Sequence, residues 1–222
     1  MPVELPRSYP IPSLRRLPAY LRLFHQERER GRESISCTQI ATVLDLDPTQ
    51  VRKDLAMAGA TGKPRVGYDL AELILTVEAF LGWNNVTDAF LVGAGHLGAA
   101  LMGYDFRPNG IQVIAAFDVA PEKIGTKIHG IQVFALDKLP NLARRLHVCI
   151  GILTVPPHVA TEAAGVLFSA GIRAIWNFSP ATIDAPAGVI VENVHLSTSL
   201  AVLCSRLKNQ ALPIDAAESA VG

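Results

Sequence analysis

Three glycines, Gly93, Gly95 and Gly98, follow directly on the apolar run Ala89-Phe90-Leu91-Val92, and an acid, Asp118, stands 20 residues beyond the last of them. Residues of these types at this spacing suit a dinucleotide. In the turn Gly93-Ala94-Gly95-His96-Leu97-Gly98 the first glycine permits the tight turn, the second lets a pyrophosphate approach the backbone, and the third lets a helix pack on its strand. Free amides at the start of that helix complement phosphate charge. A carboxylate at Asp118 is placed to bind a ribose 2′-hydroxyl and would repel a 2′-phosphate, so NAD(H) is expected in preference to NADP(H). Such glycine turns also join strands to helices where no ligand binds, and the alternative for Asp118 is a helix cap ahead of Pro121 and Glu122.

The elements around these residues decide between the two readings. Ala89–Val92 is a buried strand, Ala99-Ala100-Leu101-Met102 a helical run, and Ile111–Phe117 a second buried strand that ends on Asp118. A short hairpin or loop is expected over 127–134 and a polar-faced helix over 136–146. Strand 148–154, helix 158–170, strand 174–178 and strand 189–194 continue the alternation, which predicts a doubly wound parallel sheet. Ligands of such sheets lie beyond the carboxyl ends of the strands, so Thr154, Val155, Pro156, Asn177, Phe178 and Ser179 join the glycine turn and Asp118 as candidate cofactor residues. Leu196, Leu200, Leu203 and Leu207 share one face of a final helix, which must find a surface on its own sheet or on another subunit. A frayed tail is expected over 211–222.

The 222 residues, 50% hydrophobic, suffice for one large or two modest domains. No uninterrupted apolar run is long enough to span a membrane, and Met1-Pro2-Val3-Glu4 lacks the features of a signal peptide, so a cytoplasmic location is expected. Cys37, Cys149 and Cys204 are widely spaced among apolar neighbours and read as reduced core thiols, with no metal-ligand spacing. The net charge is zero overall, but residues 1–67 carry 11 Lys and Arg against 7 Asp and Glu, and residues 68–222 carry 9 against 13. A basic first third fits a nucleic-acid-binding domain.

Four prolines in the first twelve residues, Pro2, Pro6, Pro10 and Pro12, predict an extended arm over 1–12. Leu14, Leu17, Leu21 and Phe24 recur at helical spacing, with Pro18 near a first turn or at a kink. Ser36-Cys37-Thr38-Gln39 has the form of a capping box, and Asp47-Pro48 the form of a cap followed by the first helical residue. Two short capped helices joined by a tight turn make a helix-turn-helix, whose second helix leaves Thr49, Gln50, Arg52 and Lys53 outside. The glycine-rich, basic stretch Gly59–Tyr68 would form a wing placing Lys63 and Arg65 on phosphates. The expected architecture is α/β: a winged helix-turn-helix domain over 1–82, a Rossmann-type sheet domain over 83–194, and a dimerisation helix and tail over 195–222.

With these pieces assembled, the sequence resembles the Rex family of redox-sensing transcriptional repressors along nearly its whole length. The resemblance is carried, in order, by Arg16-Leu17-Pro18-Ala19-Tyr20-Leu21-Arg22, Val51-Arg52-Lys53-Asp54-Leu55, the Gly59–Tyr68 wing, the Gly93–Gly98 turn, Ala115-Ala116-Phe117-Asp118, Ile152-Leu153-Thr154-Val155-Pro156 and Asn177-Phe178-Ser179-Pro180. It implies a homodimer built by swapping the C-terminal helix, bound to a palindromic double-stranded operator and released by NADH, with NAD+ competing. It also implies a switch in which an acid before the last helix alternates between an N-terminal arginine, here Arg16, and a tyrosine after the glycine turn, here Tyr104. Arg16 is thereby both a DNA-binding and a switch residue. The chain departs from the family at three places. Pro64-Arg65 stands where a basic residue and glycine are usual, Ala56-Met57 where a small polar residue and an aromatic are usual, and His195 and Ser199 where Asp and Glu are usual. A histidine cannot pair with Arg16 as a carboxylate does, so DNA and NADH binding are each more secure than the coupling between them. The alternatives are a redox-insensitive paralogue or an NAD-dependent oxidoreductase, for which Thr154, Ser179 and His158 offer no obvious acid–base pair.

Overall fold

The computed structural model describes residues 9–210, which divide into two units, residues up to 86 with 107–110, and residues 87–106 with those from 111 onward. Residues 1–8 of the expected arm and the expected tail over 211–222 lie outside the described residues.

The first unit contains helix α1 (Ile11–Glu29), strand β1 (Ser34–Ile35), helices α2 (Cys37–Leu44) and α3 (Pro48–Met57), strand β2 (Tyr68–Asp69) and helix α4 (Leu70–Leu81). The expected arm over 1–12 is corrected at its end, because α1 begins at Ile11 with Pro12 in its first turn. A proline is harmless there, since first-turn amides have no helical partner anyway. Pro18 lies inside the helix. The capping box forms, with the Ser36 hydroxyl accepting from the Gln39 amide and the Gln39 side chain accepting from the Ser36 amide. Asp47 caps α3 through the amides of Thr49 and Gln50. Leu17, Tyr20 and Phe24 of α1 meet Ile40, Val51, Leu55, Leu73 and Val77 in one core.

Between α3 and α4 the wing closes through paired backbone bonds between Lys63 and Gly67. Pro64 and Arg65 form the turn, and Arg65 takes φ +63°, the left-handed conformation that a glycine would adopt with less strain.

The second unit is a seven-stranded sheet ordered β5-β6-β4-β3-β7-β8-β9, from β3 (Thr87–Val92), β4 (Ile111–Asp118), β5 (Lys127–Ile128), β6 (Ile131–Ala135), β7 (Ile150–Leu153), β8 (Ala174–Asn177) and β9 (Ile190–Asn193). All neighbours are parallel except β5 and β6. The expected hairpin or loop at 127–134 is a hairpin whose second arm is a full strand of the sheet, with Val133 buried. Ala89 and Leu91 face one core, which takes Met102 of helix α5 (His96–Met102). Phe90 and Val92 face the other, which takes Leu139 and Ala143 of helix α6 (Leu139–Leu146) and Ala160, Ala164 and Leu167 of helix α7 (Pro157–Ser169). Burial on both faces explains why Ala89–Val92 of β3 is continuously apolar rather than alternating. The chain reverses direction across the sheet between β3 and β7, which sets the glycine turn beside Thr154.

Helix α8 (Leu196–Gln210) closes the described chain, and Cys204 on it is exposed rather than in a core, while Cys37 and Cys149 are half-buried. Its sequence places leucines on one face, yet Leu200, Leu203 and Leu207 are 58%, 63% and 68% exposed. Of the two surfaces expected for it, its own sheet does not cover these leucines.

Candidate functional site

At the end of β3, Gly93 turns with φ +101° while its amide donates to the Phe117 carbonyl at 2.8 Å. A Cβ on Gly93 would lie 2.8 Å from Val155 Cγ1, and one on Gly98 would collide with the Gly93 carbonyl oxygen. These two glycines are therefore fixed by the protein itself. Gly95 is different, for its φ of −78° suits any residue and nothing lies within 4 Å of where its Cβ would stand. That open space is what a ligand lying against the backbone requires.

The Thr154 hydroxyl donates to the Gly93 carbonyl at 2.7 Å, with the Val92 carbonyl at 3.0 Å, so it latches the ends of β3 and β7 together. Beside this latch is a cavity of about 370 Å³, within the range of small-molecule sites. It brings together Gly93, Gly95, Asp118, Thr154, Val155 and Pro156 of the expected cofactor residues. Lys123 also lines it and was missed in the sequence. Its signal was a lysine five residues beyond the acid, after the Pro121 turn.

Asp118 is 8% exposed and has three donors, the Ala94 amide at 2.8 Å and Lys123 Nζ at 3.1 Å on Oδ2, and the Ala120 amide at 2.9 Å on Oδ1. Burial pushes its pKa up, but the Ala120, Lys123 and Ala94 hydrogen bonds outweigh that and hold the carboxyl below its ordinary value. Ala94 thus acts through its backbone, while His96 and Leu97 are exposed at the start of α5 and Gly98 is buried within it.

The strand-end residues of β8 lie outside that cavity's lining. Asn177 is fully buried, donating to the Ala181 carbonyl and to Asn193 Oδ1 and accepting from the Ser179 amide. Ser179 is likewise buried. Phe178 packs edge-on to Trp176 at 4.6 Å, Trp176 on Phe106 at 5.4 Å, and Phe106 on Tyr104 at 4.5 Å. Tyr104 is the exposed end of this aromatic row. His195 is exposed just ahead of α8.

In the first unit, Arg52 of α3 and Lys63 and Arg65 of the wing line one open cleft of about 530 Å³. Thr49 and Lys53 are exposed on the same helix. Gln50 and Arg16 are engaged instead with Asp54, a residue to which the sequence reading gave no role. Asp54 is 1% exposed and accepts from Arg16 Nε at 2.6 Å, Arg16 Nη2 at 2.8 Å, the Tyr20 hydroxyl at 2.7 Å and Gln50 Nε2 at 2.8 Å. Burial raises its pKa, yet the bonds from Arg16 and Tyr20 prevail and the carboxyl stays below its ordinary value. Burial, and then the bond to Asp54, push the Tyr20 hydroxyl up. The signal for Asp54 was its place on the buried stripe Val51-Asp54-Leu55-Ala58, where an acid requires a partner.

A winged helix-turn-helix unit with a basic cleft, joined to a Rossmann-like sheet with a cavity at its switch point, defines a ligand-responsive DNA-binding regulator. A family model described as a putative DNA-binding protein N-terminus matches residues 9–56, and one described as a CoA binding domain matches residues 84–181. A curated relative from Treponema denticola, "Redox-sensing transcriptional repressor Rex", is 47% identical over 193 residues, 86% of this chain and 92% of its own. Its counterpart from Porphyromonas gingivalis is 41% identical over 92% of this chain and 94% of its own. The chain belongs to the Rex family of redox-sensing transcriptional repressors. Among solved structures, the Rex-family repressor RSP superposes with a TM-score of 0.84 at 32% identity, covering 91% of this chain and 95% of RSP. RSP has been solved with beta-NAD+ and operator DNA (TM-score 0.85, 33% identity) and with beta-NADH (TM-score 0.84, 32% identity).

Proposed function

We propose that this chain is a cytoplasmic transcriptional repressor that binds a palindromic operator as a homodimer and leaves it when NADH occupies the sheet unit. The observation that carries this is the cavity at the switch point, where open space at Gly95 adjoins the Asp118 carboxylate, in a chain at family-level identity to repressors rather than enzymes. The RSP complexes with NADH, NAD+ and operator DNA support the same ligands here. When bound, the dinucleotide supplies a nicotinamide that is planar and charged when oxidised and puckered and neutral when reduced. Sensing needs only that the chain accommodate these two forms unequally.

In this reading Gly93 through Gly98 cradle the diphosphate, Asp118 orients the adenosine ribose, and Thr154, Val155 and Pro156 wall the cavity. Asn177, bonded to Ala181, Asn193 and the Ser179 amide, and the buried Ser179 hold the β8 end so that Phe178 is fixed beside the nicotinamide. Thr49, Arg52 and Lys53 contact operator DNA from α3, with Gln50 at the same end, and Lys63 and Arg65 contact phosphates from the wing. Functional boundaries at 1–82, 83–194 and 195–222 are proposed with these roles. The exposed face of α8 supports a dimer in which that helix is exchanged between subunits, where Leu200, Leu203 and Leu207 are buried.

The test is titration of NADH, then NAD+, into the protein bound to a labelled palindromic operator at fixed salt. Release at NADH concentrations where NAD+ does nothing is expected. Retention of DNA while NADH occupies the sheet unit would favour a redox-insensitive repressor. That second reading has its own observation, since His195 replaces the family's acid while Arg16 is held by Asp54.

A further inference from the structure

The simple expectation at Asp118 is that its negative charge rejects a 2′-phosphate. The structure changes the sum. An ionised carboxylate offers roughly four acceptor positions, and Ala94, Lys123 and Ala120 fill three of them, two on Oδ2 and one on Oδ1. Asp118 therefore keeps acceptor capacity for one ribose hydroxyl rather than two. Lys123 is half-buried, lines the same cavity and carries three donors, of which Asp118 takes one. Its ammonium, 3.1 Å from Oδ2, cancels most of the carboxylate's charge as felt by a group at the cavity edge.

We propose that Lys123 is a specificity-determining residue, which reads the adenosine ribose together with Asp118 and sets how strongly a 2′-phosphorylated dinucleotide is excluded. The proposal rests on the cofactor reading given above and deepens it. The acid alone would exclude NADPH by charge. The pair excludes it weakly, through the one acceptor on Asp118 that a phosphate, having no proton to donate, leaves unpaired. Removing the ammonium restores the full repulsion. Glu162 of α7 is another charged group lining this cavity, and it stays in every variant, so a change in discrimination on altering Lys123 belongs to Lys123.

The experiment is calorimetric titration of the full chain, without DNA, with NADH and separately with NADPH. It is run on the wild type, Lys123→Met and Lys123→Arg. The readout is the ratio of the NADPH to the NADH dissociation constant. That ratio divides out any general loosening of the site, which would weaken both ligands alike. Lys123→Met is expected to raise the ratio by about tenfold or more, and Lys123→Arg, which keeps the charge, to stay within about threefold of wild type. An unchanged ratio in Lys123→Met, with NADH still binding, would overturn the role of Lys123 and leave the cofactor site standing. Failure of the wild type to bind NADH would overturn the cofactor site and this proposal with it.

Discussion

Each unit of the molecule holds a buried carboxylate that ties distant segments together, Asp54 in the first and Asp118 in the second, and the two are satisfied in opposite ways. Asp54 takes four hydrogen bonds from side chains, two of them from the Arg16 guanidinium that arrives from 38 residues away. Asp118 takes two from backbone amides and one from the half-exposed Lys123, and it borders a cavity. The first arrangement fills the acid and pins α1 against α3. The second leaves one acceptor position unfilled on a residue that lines the cavity. A buried acid whose partners are all side chains of its own unit holds structure together, whereas one fixed by backbone at the edge of a cavity remains able to meet a ligand.

The largest effect expected from breaking this contrast is at Asp54. Asp54→Ala strands the Arg16 guanidinium in a half-buried place and should cost the first unit about 3–5 kcal/mol, the usual penalty for removing one partner of a buried pair. Operator binding should be lost while NADH binding by the second unit stays within experimental error, read by urea unfolding and by NADH titration of the same preparation. The acid limb sharpens the point. Both carboxyls lie below their ordinary value in the folded state, so their stabilisation is present above about pH 4, the unfolded carboxylate value, and is lost as pH falls through the lowered folded value. Asp54→Asn should flatten the fall in stability between neutral and acid pH more than any exposed Asp→Asn change.

The next effect is in the sheet unit. Gly98→Val places a branched side chain where even a Cβ collides with the Gly93 carbonyl. NADH binding should fall by at least about a hundredfold, a loss of about 2.7 kcal/mol or more, while operator binding persists and no longer responds to NADH. Loss of both activities together would mean that the two units do not fold independently. Thr154→Val is milder. It keeps the shape but removes the hydroxyl that bonds the Gly93 carbonyl, so a cost of about 1 kcal/mol is expected in thermal unfolding of the sheet unit.

What the sequence made legible follows the range of the interactions concerned. The Ser36–Gln39 capping box, the Asp47-Pro48 helix start and the Gly93–Gly98 turn are local devices, complete within a few residues, and the structure holds each where the spacing put it. The continuous apolar run of β3 was equally readable because a strand buried on both faces has no polar alternation to hide it. Asp54 was not legible as an organiser, since its partners lie on another helix and only the packed core makes an acid on that stripe acceptable. Strand β6 was obscured by Gln132, which breaks its apolar run, and its place beside β4 comes from pairing with a strand already in the sheet. The internal bonds of Asn177 are of the same kind. A strand-end asparagine beside Ser179 looks available to a ligand until Ala181 and Asn193 are seen to occupy its amide.

The smallest expected effect concerns the two turns that carry the candidate contacts. The second unit keeps glycine at Gly93, where the left-handed φ of +101° coincides with close neighbours. The wing instead places Arg65 at φ +63°. A left-handed arginine costs about 1–2 kcal/mol of local strain, and the glycine that would relieve it adds about 0.5–1 kcal/mol of chain entropy to the unfolded state. The two nearly cancel, so Arg65→Gly should shift stability by less than about 1 kcal/mol, in the stabilising direction. Operator binding should weaken together with its salt dependence, the slope falling by about one unit if Arg65 meets a phosphate. That combination, a slightly steadier wing that holds DNA less well, would show that the chain tolerates strain here for the sake of a charge. A steadier wing with unchanged salt dependence would remove Arg65 from the interface and leave Lys63 and Arg52 as the basic residues of the cleft that meet DNA.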